Sequence, residues 1–407
     1  MSGSLEGVRV LDLSDPRGFL AGKILADMGA DVIKLEPPGG DPARRRGPFL
    51  GNLPDPERSL LWLALNTSKR GITLELNAER GRALYLKLLE TVDVVLECFA
   101  PGSLEALGLG YEDLRETYPR LVHCAITPFG QTGPYAGYRG HDLVAVAMGG
   151  NAALTGDPDR PPVRCSMPTA YYHAAPEAAL GITFALLARH ETGRGQFVDV
   201  SLQECQLQTL LSAPGQHALR PGTQRRTGAR TGRTREIWKA KDGYITFGLR
   251  GGPARIPNLI ATVEYMTGCD AAPAWLREYD WSSFNHNTVS DDEIERLEGA
   301  FGAFFRTRTM RELYQQALER RILLAPCNDA RELLEHAQLR DRDFFVTLDY
   351  PERGASIEHP GFFTRSSNDG IRLRGRAPRF GEHNAELFAS LGVSETALAG
   401  LASEGVV

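Results

Sequence analysis

Along the first half of the chain, short apolar runs rich in Val and Ile alternate with longer stretches whose apolar positions recur every three to four residues. Val8–Leu13, Asp31–Glu36, Ile72–Leu76, Asp93–Glu97 and Leu121–Ile126 predict strands, and 21–28, 79–91 and 111–118 predict the helices among them. Pro37-Pro38-Gly39-Gly40 closes the second strand. Strand, helix and strand within about 30 residues make a βαβ unit, whose right-handed crossover sets the strands parallel. Between Ala174 and His190, Ala178, Leu180, Ile182, Phe184, Ala185 and Leu187 predict a largely buried helix, ended by Gly193 and Gly195. Phe197–Ser201 predicts another strand, followed by a helix from about Gln203.

The pattern changes at Leu219. Arg220, Arg225, Arg226, Arg230, Arg233 and Arg235 alternate with Gly and Thr, which predicts an exposed linker over 219–235. Beyond it, Gly243–Gly248 predicts a strand, and 256–266 and 291–307 predict helices. The expected fold class is α/β. A Rossmann-like large domain spans 1–218 and is completed by 330–407, a smaller α/β domain spans 225–325, and Gly381–Gly392 supplies a final helix.

Composition narrows the function. With a net charge of −5 the 407-residue chain has no overall positive field to attract a phosphate backbone, so nucleic acid is not an expected partner. The first residues carry neither a basic run nor an apolar signal core, and no apolar run approaches the roughly 20 residues that span a bilayer. The expectation is a cytoplasmic protein with no membrane partner. Six scattered cysteines, without a C-x-x-C pair, fit neither a disulfide framework nor a metal site. The first crossover, Ser14–Ala21, lacks G-x-G-x-x-G, so a dinucleotide fingerprint is not supported.

Motifs in a fixed order point further. They are Leu25–Asp41, Leu65–Gly71, Phe99–Gly102 with Leu107–Tyr111, Thr127–Gly130, His141-Asp142, Ala170–Gly181 running on to Thr192-Gly-Arg-Gly-Gln196, Asp242–Tyr244, Ala325-Pro326, Gly381–His383 and Gly405–Val407. Taken together, the chain resembles the class III CoA-transferases, the family of formyl-CoA transferase, carnitine CoA-transferase and α-methylacyl-CoA racemase. The resemblance implies an interlocked-ring dimer, with CoA thioesters as substrates and no covalently bound cofactor. Family enzymes attack the thioester with an Asp carboxylate and pass CoA to an acceptor acid through an aspartyl thioester. That Asp lies ten or eleven residues before the glycine equivalent to Gly181, a position filled here by Tyr171 or Ala170. Neither side chain can carry CoA as an acyl thioester, so no catalytic residue is expected in this chain. Glu177, Asp159 and His141 are the alternatives; His141 sits where racemase members place an acid/base.

The resemblance also implies CoA contacts at Arg17, Arg44, Lys69 and Arg70, whereas basic contacts of other members fall here at Ala106 and Thr127. Tyr171, Tyr172 and His173 replace the Asp loop, either plugging the pocket or facing a partner's site. The expected function is that of the non-catalytic, Asp-free subunit of a heteromeric class III CoA-transferase, resembling heteromeric members that act on benzylsuccinate. CoA would move from succinyl-CoA to an aryl-substituted dicarboxylic acid such as benzylsuccinate, with the nucleophile on a homologous Asp-containing partner. The alternatives are a homodimeric CoA-transferase or acyl-CoA racemase using a displaced acid or His, and a non-catalytic CoA-binding or scaffold protein. The stretch Arg220–Arg235 offers guanidinium groups to CoA phosphates, an acidic substrate or a partner.

Overall fold

A computed structural model describes residues 3–219, 222, 224–367 and 370–407. The chain divides into two compact units: Met1–Ala152, Arg164–Gly222 and Arg340–Val407 form the first, and Ala153–Val163 with Thr223–Leu339 the second.

The first unit is built on strands β1 (Arg9–Asp12), β2 (Asp31–Glu36), β3 (Arg70–Thr73), β4 (Val94–Glu97), β5 (Val122–Thr127) and β6 (Phe197–Ser201), all parallel, in the order β3-β2-β1-β4-β5-β6. Side chains alternate between faces along a strand. Val10, Val32, Val94, Leu96, Val122 and Ile126 point into one core, and Leu11, Ile33, Leu35, Ile72 and Val95 into the other. With both faces covered, the strands read as nearly continuous apolar runs. Helix α1 (Phe19–Asp27) connects β1 to β2, and two more helices, α2 (Leu60–Leu65) and α3 (Glu79–Leu89), precede and follow β3. The predicted helix 111–118 shrinks to Tyr111–Leu114, because Pro119 restricts the residues before it.

Helices α4 (Asp142–Met148) and α5 (Thr169–Thr192) lie between β5 and β6. In α5 the buried residues are mostly alanines, Ala170, Ala174, Ala175, Ala178, Ala179 and Ala185, together with Ile182. Their small side chains let α5 lie close to α1 across the first core, where Ile182 alone contributes about 1.5–3 kcal/mol of burial. The helix starts five residues before the predicted Ala174, with Pro176 inside it. Proline at that point suggests a first turn, whereas here it only removes the N–H that would reach the Tyr172 carbonyl. The T-G-x-G turn has a steric cause. Gly193 ends α5 at φ 72°, and a Cβ on Gly195 would lie 2.0 Å from the Leu121 carbonyl oxygen.

The C-terminal segment covers the β3 edge. Thr73 N–H donates to Asn384 Oδ1 (2.9 Å), Gly71 N–H to His383 Nδ1 (3.1 Å) and His383 N–H to the Gly71 carbonyl (2.9 Å). An edge tied in this way offers no free ladder to another chain. Helices Asn384–Ser390 and Glu395–Ser403 then add Leu387, Phe388 and Leu401 to the second core.

The second unit has a three-stranded antiparallel sheet, with β7 (Ile237–Lys239), β8 (Tyr244–Phe247) and β9 (Leu324–Pro326) in the order β9-β8-β7, and helices α6 (Ile256–Gly268), α7 (Asp291–Phe305) and α8 (Met310–Arg320). Trp238, Phe247, Phe301 and Phe305 fill its core. Ser290 caps α7 by accepting the Glu293 N–H, and Thr309 with Glu312 forms a capping box on α8. From Arg226 on, the arginine-rich stretch is built into this unit rather than running free. Arg226 donates to the Ala153, Asp157 and Arg160 carbonyls, Arg230 makes a bidentate pair with Glu298, and Arg233 pairs with Asp291. Arg220 lies outside the described residues.

Candidate functional site

In the first sheet the strand order reverses between β1 and β4. Ligands of open parallel sheets bind beyond the C-terminal strand ends at such a switch point. Three residues gather there: Asp12 and Glu97, which end their strands, and Arg17 in the loop after β1. Arg17 donates to both Asp15 oxygens (2.9 and 2.6 Å) and to the Cys98 carbonyl, tying the two strand-end loops together. Glu97 is 6% exposed and accepts the Phe99 N–H. Burial raises its carboxyl to about 8, against the opposing pull of that N–H.

Beside this crevice the first turn of α5 floors a cavity of about 410 Å³, lined by Pro16, Arg46, Leu61, Leu65, His141, Asp142, Leu143, Arg164, Ser166, Pro168, Tyr171 and Tyr172. Asp142 at the start of α4 organises it. Its Oδ1 accepts the Ala170 N–H (2.8 Å) and its own N–H donates to the Tyr171 hydroxyl (3.2 Å), so α4 and α5 are fixed to each other. Burial, first, holds the Tyr171 phenol above its usual pKa, with the Asp15 and Asp142 charges adding and the Asp142 N–H and Arg17 opposing. Tyr171 is therefore a neutral hydrogen-bond donor near pH 7. His173 is engaged elsewhere, its Nδ1 lying 2.8 Å from Gln206 Nε2. Tyr171 and Tyr172 line the cavity without filling it.

The residues expected at the site are dispersed. Ala170 is fully buried against the first core, and Tyr171, one residue on, reaches the cavity. His141 is on the cavity wall, but Glu177 lies near Cys205, about 9 Å further along α5 at 1.5 Å per residue. Asp159 is exposed in 153–163, part of the second unit. Cys165 is exposed and free.

Of the expected CoA contacts, Arg17 alone lies at the switch point. Arg44 is 1% exposed, bonds both Glu36 oxygens (2.6 and 2.7 Å), meets Glu57 (3.1 Å) and the Pro378 carbonyl (3.2 Å), and stacks 3.7 Å from the Trp62 ring. Lys69 is 4% exposed and donates to Asp12 Oδ2 (2.8 Å), the Phe19 carbonyl (2.8 Å) and Asn66 Oδ1 (2.9 Å), its three N–H groups all used. Burial lowers its pKa to about 8 although Asp12 pulls the other way. Arg70 opens β3 at the opposite edge of the sheet and pairs with Asp31 and Glu386. Arg44 and Lys69 thus hold the interior together, and Arg70 faces away from the strand ends where a ligand would enter.

Sequence reading passed over Arg164, Leu61 and Leu65. The one available signal was that Arg164 stands seven residues before Tyr171, and an isolated arginine in a polar stretch reads as solvated. Asp142 is the only carboxylate among the described residues lining the cavity, and its Oδ1 is committed to the helix. The arrangement suits binding of an anion with an apolar body better than nucleophilic attack. Among the described residues no cluster of His, Cys, Asp and Glu could hold a metal, and no helix is long and apolar enough to cross a membrane.

Relatives share this architecture. The chain is 33% identical over 390 residues to the succinyl-CoA:(R)-benzylsuccinate CoA-transferase subunit BbsE of Thauera aromatica, covering 94% of this chain and 93% of that protein. It is also 33% identical over 416 residues to the succinyl-CoA–D-citramalate CoA-transferase of Chloroflexus aurantiacus, covering 99% and 98%. The crystal structure of a CAIB/BAIF family protein from Brucella suis superposes with a TM-score of 0.84 at 28% identity, covering 96% of this chain and all of that one. Residues 5–384 match the profile of CoA-transferase family III, and with relatives this similar along nearly its whole length the chain belongs to that family.

Proposed function

We propose that this chain is the non-catalytic subunit of a heteromeric class III CoA-transferase, which moves CoA from succinyl-CoA to an aryl-substituted dicarboxylic acid such as benzylsuccinate. The nucleophilic Asp belongs to a homologous partner chain, and the two are threaded together as interlocked rings. The observation that carries the reading is Tyr171. It stands in the first turn of α5 at the cavity floor, where the family resemblance places the nucleophile, and the wall's one carboxylate is bonded to the Ala170 N–H. A phenol cannot form the anhydride and thioester intermediates that carry CoA between acids.

Two further observations support it. The relative from Thauera aromatica is itself named a subunit of a benzylsuccinate enzyme. On α5, Leu180, Phe184 and Leu187 are 47–64% exposed at helical spacing, an apolar stripe suited to a partner surface. Within such a complex the chain supplies architecture and the wall of a binding cavity.

Native mass spectrometry of the untagged protein from its source is the test. A complex containing a second, similar-sized homologue with an Asp at the Tyr171 position is the expected result. A homodimer that turns over CoA esters would refute the proposal and favour the displaced-acid reading, with His141 and Asp142 as the groups to substitute.

A further inference from the structure

The cavity at the start of α5 keeps the features of a binding site even though it lacks a nucleophile. Two guanidinium groups, from Arg46 and Arg164, stand on its wall, and among the described residues neither is paired with a carboxylate. Arg164 is held in place by the Cys165 and Ser166 carbonyls (2.9 and 3.4 Å). The Tyr171 hydroxyl accepts the Asp142 N–H at 3.2 Å, which leaves its own proton to donate. Pro16, Leu61, Leu65, Leu143, Pro168 and Tyr172 make the rest of the wall apolar. Asp142 and His141 are the other polar groups present, and the Asp142 carboxylate is partly neutralised by the Ala170 N–H.

Unpaired arginines and a phenol donor around an apolar chamber recognise carboxylates, which guanidinium binds bidentately, on an aryl or branched hydrocarbon body. We infer that this chain binds the acid substrate itself, as a dicarboxylate with an aryl-sized apolar group, held by Arg46, Arg164 and Tyr171 without any covalent step. The inference rests on reading the chain as the subunit without the nucleophile, and it assigns that subunit a second role, storing or presenting the acceptor acid. Coenzyme A is not the ligand of this chamber. Its diphosphate is not needed to satisfy two arginines and one hydroxyl, and the apolar wall matches no part of its nucleotide.

The test is ligand-observed NMR and calorimetric titration of the full chain, with whatever partner copurifies, using 2-benzylsuccinate as probe. Its uncharged diamide and free coenzyme A serve as comparison ligands. Saturable binding is expected for the diacid. It should weaken about tenfold or more in each of R46A and R164A, the scale of one lost charge-assisted contact. Y171F should cost a few-fold, and R164K should recover only part of the loss because Lys cannot bind bidentately. The diamide should bind at least tenfold more weakly, and coenzyme A should not compete. Unchanged affinity in the folded R46A and R164A proteins, or competition by coenzyme A, overturns the inference. So does the absence of saturable binding in a complex that mass spectrometry shows to be heteromeric, an outcome that leaves the subunit assignment standing. Binding that depends on Arg46 and Arg164 in a chain that forms only homodimers does the reverse.

Discussion

Replacing Glu97 with Gln is expected to raise the stability of the first unit at neutral pH. Glu97 ends β4 and is 6% exposed, accepts the Phe99 N–H, and has near it an arginine, Arg17, that is already bonded to Asp15. Burial is the largest influence on its carboxyl and raises it to about 8, from an ordinary value of 4.5; the Phe99 N–H and Arg17 oppose the rise, and Glu105 and Asp15 add to it. Below pH 4.5 both folded and unfolded chains hold the proton, and the group costs nothing. Between 4.5 and 8 the folded chain keeps a proton that the unfolded chain has released, so stability falls with pH by about 1.4 kcal/mol per unit. The accumulated loss is about 1 kcal/mol at pH 5 and about 3 kcal/mol at pH 7, levelling near 5 kcal/mol above pH 8. Gln still accepts the Phe99 N–H and has no proton to lose.

A unit of roughly 280 residues unfolds with an entropy of roughly 0.6 kcal/mol/K, so 3 kcal/mol corresponds to a Tm shift of about 5 °C. Differential scanning calorimetry of wild type and E97Q at pH 5, 6, 7 and 8 reads the difference. The gap should widen from about 1 °C at pH 5 to about 5 °C at pH 7. Parallel pH profiles, or a lower Tm for E97Q at pH 7, would refute the claim that Glu97 is held protonated by burial.

Lys69→Met should destabilise the first unit by about 3–5 kcal/mol, because it strands the buried Asp12 carboxylate without its ammonium. The same scans check it, and the additional change Asp12→Asn should recover part of the loss. Tyr171→Asp should leave succinyl-CoA turnover by this chain at background in a coupled assay, because Ala106 and Thr127 lack the basic groups other members place against CoA; robust turnover would show that the CoA site is intact.

Much of the first unit was legible because its information is local. Alternating Val, Ile and Leu in short runs specify buried parallel strands, and Gly193 and Gly195 mark a turn that only glycine fits against the Leu121 carbonyl. The start of α5 was not legible, since Pro176 imitates a helix beginning. The C-terminal hairpin Phe345–Tyr350 with Ala355–Pro360 was also missed, because its strands alternate apolar with charged residues and pack mainly on each other.

The site divides along the same line. Sequence alone determined that the nucleophile's place is taken by Ala170 and Tyr171, because identity at an aligned position is a property of the chain and needs no coordinates. Only the tertiary structure decided which charges are free to meet a ligand. Arg44 finds its partners in Glu36, eight residues away, and in the Pro378 carbonyl, 334 residues away; Lys69 finds Asp12 at a separation of 57. A basic residue near a binding loop reads the same whether it faces solvent or a buried carboxylate, and it is the folding of distant segments onto one sheet that separates Arg44 and Lys69, spent on the interior, from Arg46 and Arg164, left on a cavity wall.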